Sequence, residues 1–275
     1  MPPARAALTA AVLALAPTVS SAQAPCPAAP LRPAYSHNDY LNEGPLRDAL
    51  ALGLRGAEAD LFLGGGRLLV AHDRRDARAD RTLESLYLAP LDSLVAACGR
   101  ILPDSTPFLL NLELKQPSRA AFDTLLAALA RHPASIGSGG VEVVLVGWHP
   151  DQAVLARLLP PQVRIQSRIA SVTDISPGDP EGLVRLVSLD FGATVGWDGR
   201  GPLPETLDGW LAALRRAKAA GPHRLARVHD LPSDPALFAR LAAGGVDLIG
   251  VGDLGDAGTR AALERLSTSV PPTPE

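Results

Sequence analysis

Short apolar stretches alternate with stretches of helical periodicity along most of the chain. The apolar stretches are rich in Val, Ile and Leu, as expected for strands that are buried on both faces of a parallel sheet. We predict eight of them, at residues 33–37, 56–63, 108–114, 141–146, 163–167, 186–190, 224–229 and 246–251. A further extended segment at 67–72 follows the second strand through the tight turn Gly64-Gly-Gly66.

Apolar residues recur at helical spacing between most of these strands. The predicted helices lie at residues 45–52, 81–100, 118–129, 152–159, 207–214, 235–243 and 256–266, and residues 170–182 read as a loop. Strands that alternate with helices predict a parallel sheet, and eight such units predict a single-domain (β/α)8 TIM barrel over residues 33–267. A doubly wound open sheet is the alternative, but no glycine-rich nucleotide turn follows the first strand.

The first 24 residues have the three parts of a secretory signal peptide. Arg5 provides the positive charge, residues 6–19 are uncharged and rich in Ala and Leu, and Ala22-Gln-Ala24 matches a cleavage site. We therefore predict cleavage after Ala24, a short extension at 25–32, a disordered tail at 268–275, and a secreted or periplasmic protein. An uncleaved amino-terminal anchor is the alternative reading.

Composition excludes some partners and leaves others open. The chain of 275 residues has a formal net charge of −3 and no basic stripe, so nucleic acid is not an expected partner. No segment is long enough for a transmembrane helix. Cys26 and Cys98 could form one disulfide in an oxidising compartment or remain two free thiols. The oligomeric state is not readable from the sequence.

Acidic residues lie within the second predicted strand and at the end of the third. Side chains alternate faces along a strand, so Glu58 and Asp60 point to the same side, as do Glu113 and Lys115. In a barrel the carboxyl ends of the strands carry the active site. Three carboxylates that converge there predict a site for one hard divalent cation, Mg²⁺ or Ca²⁺, and a nearby lysine suits a phosphate.

Two histidines are expected at the same end of the barrel. His37 ends the first strand, and His72 ends the extended segment that follows the second. Imidazoles in this position suit proton transfer to and from oxygen atoms. Either histidine alone reads equally as a turn residue, so the prediction rests on their order along the chain with Glu58 and Asp60.

Several motifs, taken in order, resemble one protein family. They are Ser36-His-Asn-Asp-Tyr40, Glu58-Ala-Asp60, Leu69-Val-Ala-His72, Leu86-Tyr-Leu-Ala-Pro-Leu91, Arg227-Val-His-Asp-Leu-Pro232 and Gly252-Asp-Leu254. The set is similar to the glycerophosphodiester phosphodiesterase and phosphatidylinositol-phospholipase-C-like superfamily, in the branch typified by the altered-inheritance-of-mitochondria protein 6. The resemblance implies a barrel that cleaves a phosphodiester with one divalent metal.

The resemblance also implies roles for individual residues. His37 and His72 match the two catalytic histidines, and Lys115 matches the lysine that faces the phosphate. The residues that match the metal ligands are Glu58, Asp60 and Glu113. Two positions depart from the pattern: Asn38-Asp39 stands where Arg-Gly is usual, and His229 stands near the place of an aromatic residue. Asn38 and Arg227 are candidate substrate contacts, and these two residues and Asp39 could either line the site or simply cap loops.

These observations favour an exported, metal-dependent phosphodiesterase that acts on a glycerophosphodiester or a phospholipid headgroup. One alternative is a barrel that binds metal or phosphate without turnover. Another is a metal-dependent hydrolase or lyase for a different substrate, although an amidohydrolase would normally carry His-x-His on its first strand. The sequence leaves open which histidine is the acid, and whether the nucleophile is water or a substrate hydroxyl that gives a cyclic phosphate.

Overall fold

The computed structural model describes residues 26–104, 106–138, 140–146, 159–161, 163–168, 182–221 and 223–267. The predicted signal peptide, the predicted tail, and most of the helix at 152–159 and the loop at 170–182 lie outside these ranges. All eight predicted barrel strands lie within them.

The strands form one sheet that closes on itself. They are β1 (Ala34–Ser36), β2 (Gly56–Gly64), β3 (Arg67–Val70), β4 (Phe108–Leu114), β5 (Val141–Val146), β6 (Val163–Arg168), β7 (Val184–Asp190), β8 (Leu225–His229) and β9 (Leu248–Val251). The order is β1-β9-β8-β7-β6-β5-β4-β2-β3, and β1 also pairs with β2. All of these pairings are parallel except that between β2 and β3. The predicted (β/α)8 barrel is therefore confirmed, with β3 as an antiparallel addition to β2.

The described α-helices lie on the outside of this sheet. They are α1 (Arg47–Ala51), α2 (Ala89–Cys98), α3 (Arg119–Ala130), α4 (Phe191–Thr194), α5 (Thr206–Ala219), α6 (Pro235–Ala243) and α7 (Ala257–Ser267). The helix predicted over 81–100 is divided into a π-helical turn, Glu84–Leu88, and α2. The division falls beside Pro90, whose ring lacks an N–H and clashes with the carbonyl four residues earlier, so a regular α-helix cannot continue through it.

Two apolar layers hold the barrel together. The larger layer lies between the sheet and the helices. Every second side chain along a strand points into it. The smaller fills the inside of the barrel and consists of Tyr35, Leu109, Val144, Leu186 and Leu248. On β4 the same face continues towards the carboxyl end with the polar residues Asn111 and Glu113. The inside of the barrel is thus apolar below and polar at its mouth.

A disulfide links Cys26 to Cys98, so the alternative in which the two cysteines pair is confirmed. It joins the segment before β1 to the last residue of α2 and closes a sequence separation of 72 residues. Within the described residues, no helix combines the length and the apolar character needed to cross a bilayer.

Candidate functional site

The carboxyl ends of the strands surround a cavity of about 240 Å³. Seven of the eight predicted site residues line it: His37, Asn38, Glu58, His72, Glu113, Lys115 and Arg227. The eighth, Asp60, is 1% exposed and contacts two of the lining side chains, His72 and Lys115. The tertiary structure therefore brings together all the residues that the sequence singled out.

The three predicted metal ligands form one cluster of carboxylates. β2 positions Glu58 and Asp60 on its inward face, and Asp60 lies opposite Glu113 in the pairing of β2 with β4. One oxygen atom from each residue lies within 4.8 Å of the other two. The Oδ1 atom of Asp60 is buried and has no hydrogen-bond partner among the described residues. Oxygen ligands at this spacing, with one buried oxygen unpaired, fit a hard divalent cation.

Glu58 is paired with an arginine from the far side of the barrel. The Nη2 atom of Arg227 donates to Glu58 Oε2 at 2.6 Å, Nε donates to the Tyr35 hydroxyl at 2.7 Å, and Nη1 donates to Gln166. Arg227 is 1% exposed. Burial alone raises the pKa of Glu58, but the charges of Arg227 and His37 outweigh it, and the net pKa lies below the ordinary value. Glu58 is therefore ionised inside the barrel.

Asp60 is held by three donors from three different segments. Its Oδ2 atom lies 2.8 Å from the Tyr40 hydroxyl, 3.2 Å from His72 Nδ1 and 3.3 Å from Lys115 Nζ. Burial raises the pKa of Asp60 in spite of these contacts. Lys115 Nζ also lies 3.4 Å from Glu113 Oε1, and although burial lowers the pKa of Lys115, the two carboxylates raise it above its usual value. The lysine is thus a charged neighbour of the acidic cluster.

The two predicted histidines occupy different environments. His37 is largely buried, with Nε2 3.5 Å from Glu58 Oε2 and Nδ1 3.7 Å from Asp230 Oδ1. Burial lowers the pKa of His37 more than Glu58 raises it, so its imidazole is neutral at neutral pH. His72 is 54% exposed on its side chain and contacts Asp60 from the solvent side. The buried, neutral ring has the properties of a base.

Two residues at the barrel mouth adopt left-handed backbone conformations without being glycine. Asn38 has φ 51° directly after His37, and Asp230 has φ 54° directly after His229. Asn and Asp tolerate this region better than other side chains, and such strained positions concentrate at functional sites. The Oδ1 atom of Asn38 accepts a hydrogen bond from the Tyr40 hydroxyl at 3.1 Å.

Asp39, the second residue that departs from the family pattern, has a structural contact. It is fully buried, and its Oδ2 atom accepts hydrogen bonds from the backbone N–H of Leu46 at 2.6 Å and from the Tyr87 hydroxyl at 3.0 Å. Asp39 therefore fits the reading in which it caps a loop and not the one in which it lines the site. It is not among the residues that line the cavity.

Sequence reasoning did not assign a site role to four residues that the structure places here. They are Tyr40, Gln166, His229 and Asp230. His229 follows Arg227 by two positions on β8, so the period-two rule would have put both on the inward face. Tyr40 lies within the first family motif. No local pattern marks Gln166, because its role depends only on the position of Arg227 across the barrel.

The amino-terminal part of the chain matches a known family. The AIM6-like phosphodiesterase domain matches residues 28–129. The altered inheritance of mitochondria protein 6 homolog of Arthroderma benhamiae is 40% identical over 65 residues, which are 22% of this chain and 21% of that protein. The protein of that name in Eremothecium gossypii is 40% identical over 63 residues, 22% of this chain and 16% of its own length. The aligned part therefore spans about a fifth of these relatives.

Solved structures with a similar fold carry different activities in their names. A glycerophosphodiester phosphodiesterase from Agrobacterium tumefaciens is 14% identical, with 82% of this chain and 98% of that chain covered and a TM-score of 0.47. A mutant tryptophan synthase alpha-subunit from Pyrococcus furiosus is 18% identical, with 86% and 96% covered and a TM-score of 0.49. Likenesses at this level support no statement about activity.

The family match covers the strands that carry Glu58, Asp60 and Glu113 as well as both predicted histidines. The chain has a (β/α)8 barrel fold with a cluster of acidic side chains at its mouth. Residues 28–129 are similar to the AIM6-like phosphodiesterase domain, the branch that the motifs of this part of the chain resemble.

Proposed function

We propose that the protein is an exported phosphodiesterase that uses one divalent cation, Mg²⁺ or Ca²⁺. Its substrate is a phosphodiester of the glycerophosphodiester or phospholipid-headgroup type. One observation carries the proposal: ligand atoms of Glu58, Asp60 and Glu113 lie within 4.8 Å of one another, in a cavity that His37 and His72 also line. A structural barrel has no need for this concentration of buried charge.

The acidic cluster would hold the cation through Glu58, Asp60 and Glu113. A divalent cation there supplies electrostatic stabilisation for negative charge that develops on the phosphoryl oxygens. Arg227 fixes the orientation of the Glu58 carboxylate, and Tyr40 fixes that of Asp60. The ligands are therefore positioned by protein contacts, a condition for precise metal geometry.

The histidines divide the two proton transfers between them. His37 is neutral because it is buried, so it can take a proton from the attacking oxygen, whether that belongs to water or to a substrate hydroxyl. His72 lies 3.2 Å from the Asp60 carboxylate at the open side of the cavity, and we assign it the proton transfer to the leaving alkoxide. Product analysis separates direct hydrolysis from formation of a cyclic phosphate.

Three more residues are proposed to contact the substrate. Lys115 lines the cavity as a cation and suits a phosphoryl oxygen. Asn38 lines the cavity at the first turn of the barrel mouth. Arg227 also lines it, although each of its donor groups is engaged by a protein acceptor, so its direct contact with substrate stays a prediction.

Export is proposed from the amino-terminal segment together with the disulfide. Cleavage after Ala24 would leave Cys26 near the new amino terminus, where its bond to Cys98 ties that end to α2. Disulfides persist in oxidising compartments, which fits a secreted or periplasmic protein. In this proposal residues 25–32 are an extension, residues 33–267 form the barrel, and residues 268–275 are a disordered tail.

A barrel that binds a metal without turnover is the second candidate. It is favoured by the Asn38-Asp39 pair, which stands where the superfamily usually has Arg-Gly and so removes one cation from the phosphate site. Asp39 offers no replacement, because it is buried against Leu46 and Tyr87. The two candidates differ in a single measurable property, turnover.

The test is hydrolysis of bis-p-nitrophenyl phosphate and of a glycerophosphodiester by the full chain. EDTA should abolish turnover, and Mg²⁺ or Ca²⁺ should restore it. His37→Ala should lower kcat/KM by about 10²–10⁴-fold, the usual contribution of a general base. His223→Ala, which removes an exposed histidine, is the matched control and should have no effect. Turnover that survives both EDTA and His37→Ala would refute the mechanism, and Mg²⁺ binding without turnover would select the second candidate.

A further inference from the structure

We propose that His37, His229 and Asp230 form a second metal site, which takes a transition-metal ion of the Zn²⁺ type. The site lies between the ends of β1 and β8, beside the carboxylate cluster but with different ligands. One ligand atom from each of the three residues lies within 4.8 Å of the other two. Neither the proposed phosphodiesterase mechanism nor the family match assigns a metal to this cluster.

The distances within the cluster are close to those between two ligands of one metal ion. His37 Nδ1 lies 3.7 Å from Asp230 Oδ1, and His229 Nδ1 lies 3.5 Å from Asp230 Oδ2. These separations are too long for good hydrogen bonds. Two atoms that each lie about 2.0–2.2 Å from a tetrahedral zinc ion are about 3.3–3.6 Å apart. The imidazoles, with ring centroids 5.6 Å apart, therefore flank one carboxylate at close to ligand spacing.

His229 provides an independent reason to expect a ligand. It is 6% exposed, and neither of its ring nitrogens has a hydrogen-bond partner among the described residues. A buried polar atom without a partner is destabilising by about 1–3 kcal/mol, so proteins rarely keep one without a function. Coordination through Nδ1, which lies 3.5 Å from Asp230 Oδ2, would give one of these two nitrogens a partner.

The surroundings allow an ion to enter and to remain. The side chain of Asp230 is 54% exposed, so an ion can reach the site and water can complete its coordination. The nearest buried cation, Arg227, is neutralised by Glu58 at 2.6 Å and so repels a second ion less.

The two clusters differ in the metals that they favour. Glu58, Asp60 and Glu113 offer oxygen atoms only, which suit Mg²⁺ or Ca²⁺. Two imidazoles and one carboxylate suit Zn²⁺, Co²⁺ or Ni²⁺ instead. The clusters meet where His37 Nε2 lies 3.5 Å from Glu58 Oε2. A consequence follows that rests on the proposed function: His37 bound to Zn²⁺ cannot take a proton, so Zn²⁺ inhibits hydrolysis and excess Mg²⁺ does not relieve it.

The test is titration of the EDTA-stripped full chain with Co²⁺, whose visible absorption reports nitrogen ligands, followed by displacement with Zn²⁺. We expect one Co²⁺ ion with a visible band that Zn²⁺ removes. His229→Phe and Asp230→Asn should each weaken Co²⁺ binding by at least about tenfold, since even outer-shell changes have effects of this size. Asn is well tolerated at positive φ, so Asp230→Asn should fold.

Two controls separate this site from the carboxylate cluster. Glu113→Gln should weaken Mg²⁺ binding in calorimetry while it leaves the Co²⁺ band in place, and His223→Phe should change neither. The proposal is overturned if no band forms, if the two site variants bind Co²⁺ like the wild type, or if Glu113→Gln removes the band. If the protein binds Co²⁺ at this site but has no turnover, the phosphodiesterase proposal is refuted and the proposed metal site stands.

Discussion

The two halves of the barrel contribute to the mouth in different ways. The amino-terminal half, β1 to β4, supplies the carboxylate cluster and both predicted histidines, and it contains the disulfide and the family match. The carboxyl-terminal half, β5 to β9, supplies Arg227, His229 and Asp230. The first half thus carries the acids as local motifs, and the second carries the cation that neutralises one of them.

The ion pair between Glu58 and Arg227 joins the halves across 169 residues of sequence. Both side chains are almost completely buried, so each charge depends on the other. A buried pair of this kind adds little to stability relative to an apolar pair, but loss of one partner is strongly destabilising. The two halves should therefore be most strongly coupled at this contact.

The largest effect on stability is expected from Arg227→Leu. It leaves Glu58 buried without a counter-charge and should lower the free energy of unfolding by about 3–5 kcal/mol. Urea denaturation followed by circular dichroism measures the change. Mg²⁺ should recover more stability in this variant than in the wild type, because the ion replaces the lost positive charge.

Arg227→Lys is the matched control for that change. Lysine keeps the charge but loses the planar fork that serves Tyr35, Gln166 and Glu58 together, so its effect should be smaller than that of leucine. If the leucine variant and the wild type have equal urea midpoints in the absence of metal, the halves are not coupled through the ion pair of Glu58 and Arg227.

The second largest effect on stability is expected in the amino-terminal half alone. Reduction of the bond between Cys26 and Cys98 releases a loop whose ends are 72 residues apart and should lower the free energy of unfolding by about 2–4 kcal/mol. Hydrogen exchange should increase in β1 and β2 more than in β8. Denaturation with and without a phosphine reductant measures the loss.

The double variant Cys26→Ser/Cys98→Ser is the control for reduction. It should be as unstable as the reduced protein and insensitive to the reductant. If the reductant leaves the denaturation midpoint of the wild type unchanged, the disulfide does not stabilise the amino-terminal half.

The smallest effects on stability are expected at two helix N-caps, one in each half. Ser118 Oγ accepts from the N–H of Ala121 at 3.1 Å before α3, and Asp234 Oδ1 accepts from the N–H of Leu237 at 2.7 Å before α6. Replacement of either residue by alanine should lower stability by about 1 kcal/mol. The loss should be larger for Asp234, since its charge also interacts with the helix dipole.

Asp234→Asn provides the control for the cap comparison, because it keeps the accepting oxygen and removes the charge. Its midpoint in urea should lie between those of the wild type and Asp234→Ala. A larger loss for Ser118→Ala than for Asp234→Ala would contradict the stated order.

Much of the fold could be predicted because the relevant signals are local. The alternation of strand-like and helix-like stretches located every barrel strand, and the bounds of β5 and α6 agree with the prediction. The helix over 81–100 was predicted without its π-helical turn, because apolar periodicity does not register the steric effect of Pro90. Alternation along β2 and β4 likewise predicted that the three acids face the same side.

Alternating strands and helices were enough to predict the barrel, and spacing within one strand or one turn was enough to predict the inward acids and the two histidines of the amino-terminal half. The folded chain was needed to show that Arg227 neutralises Glu58 and that His229 lies beside His37. The physical reason is that side-chain direction is set by the local backbone, whereas the partner of a buried charge is set by closure of the sheet, which brings β8 and β9 beside β1 and β2.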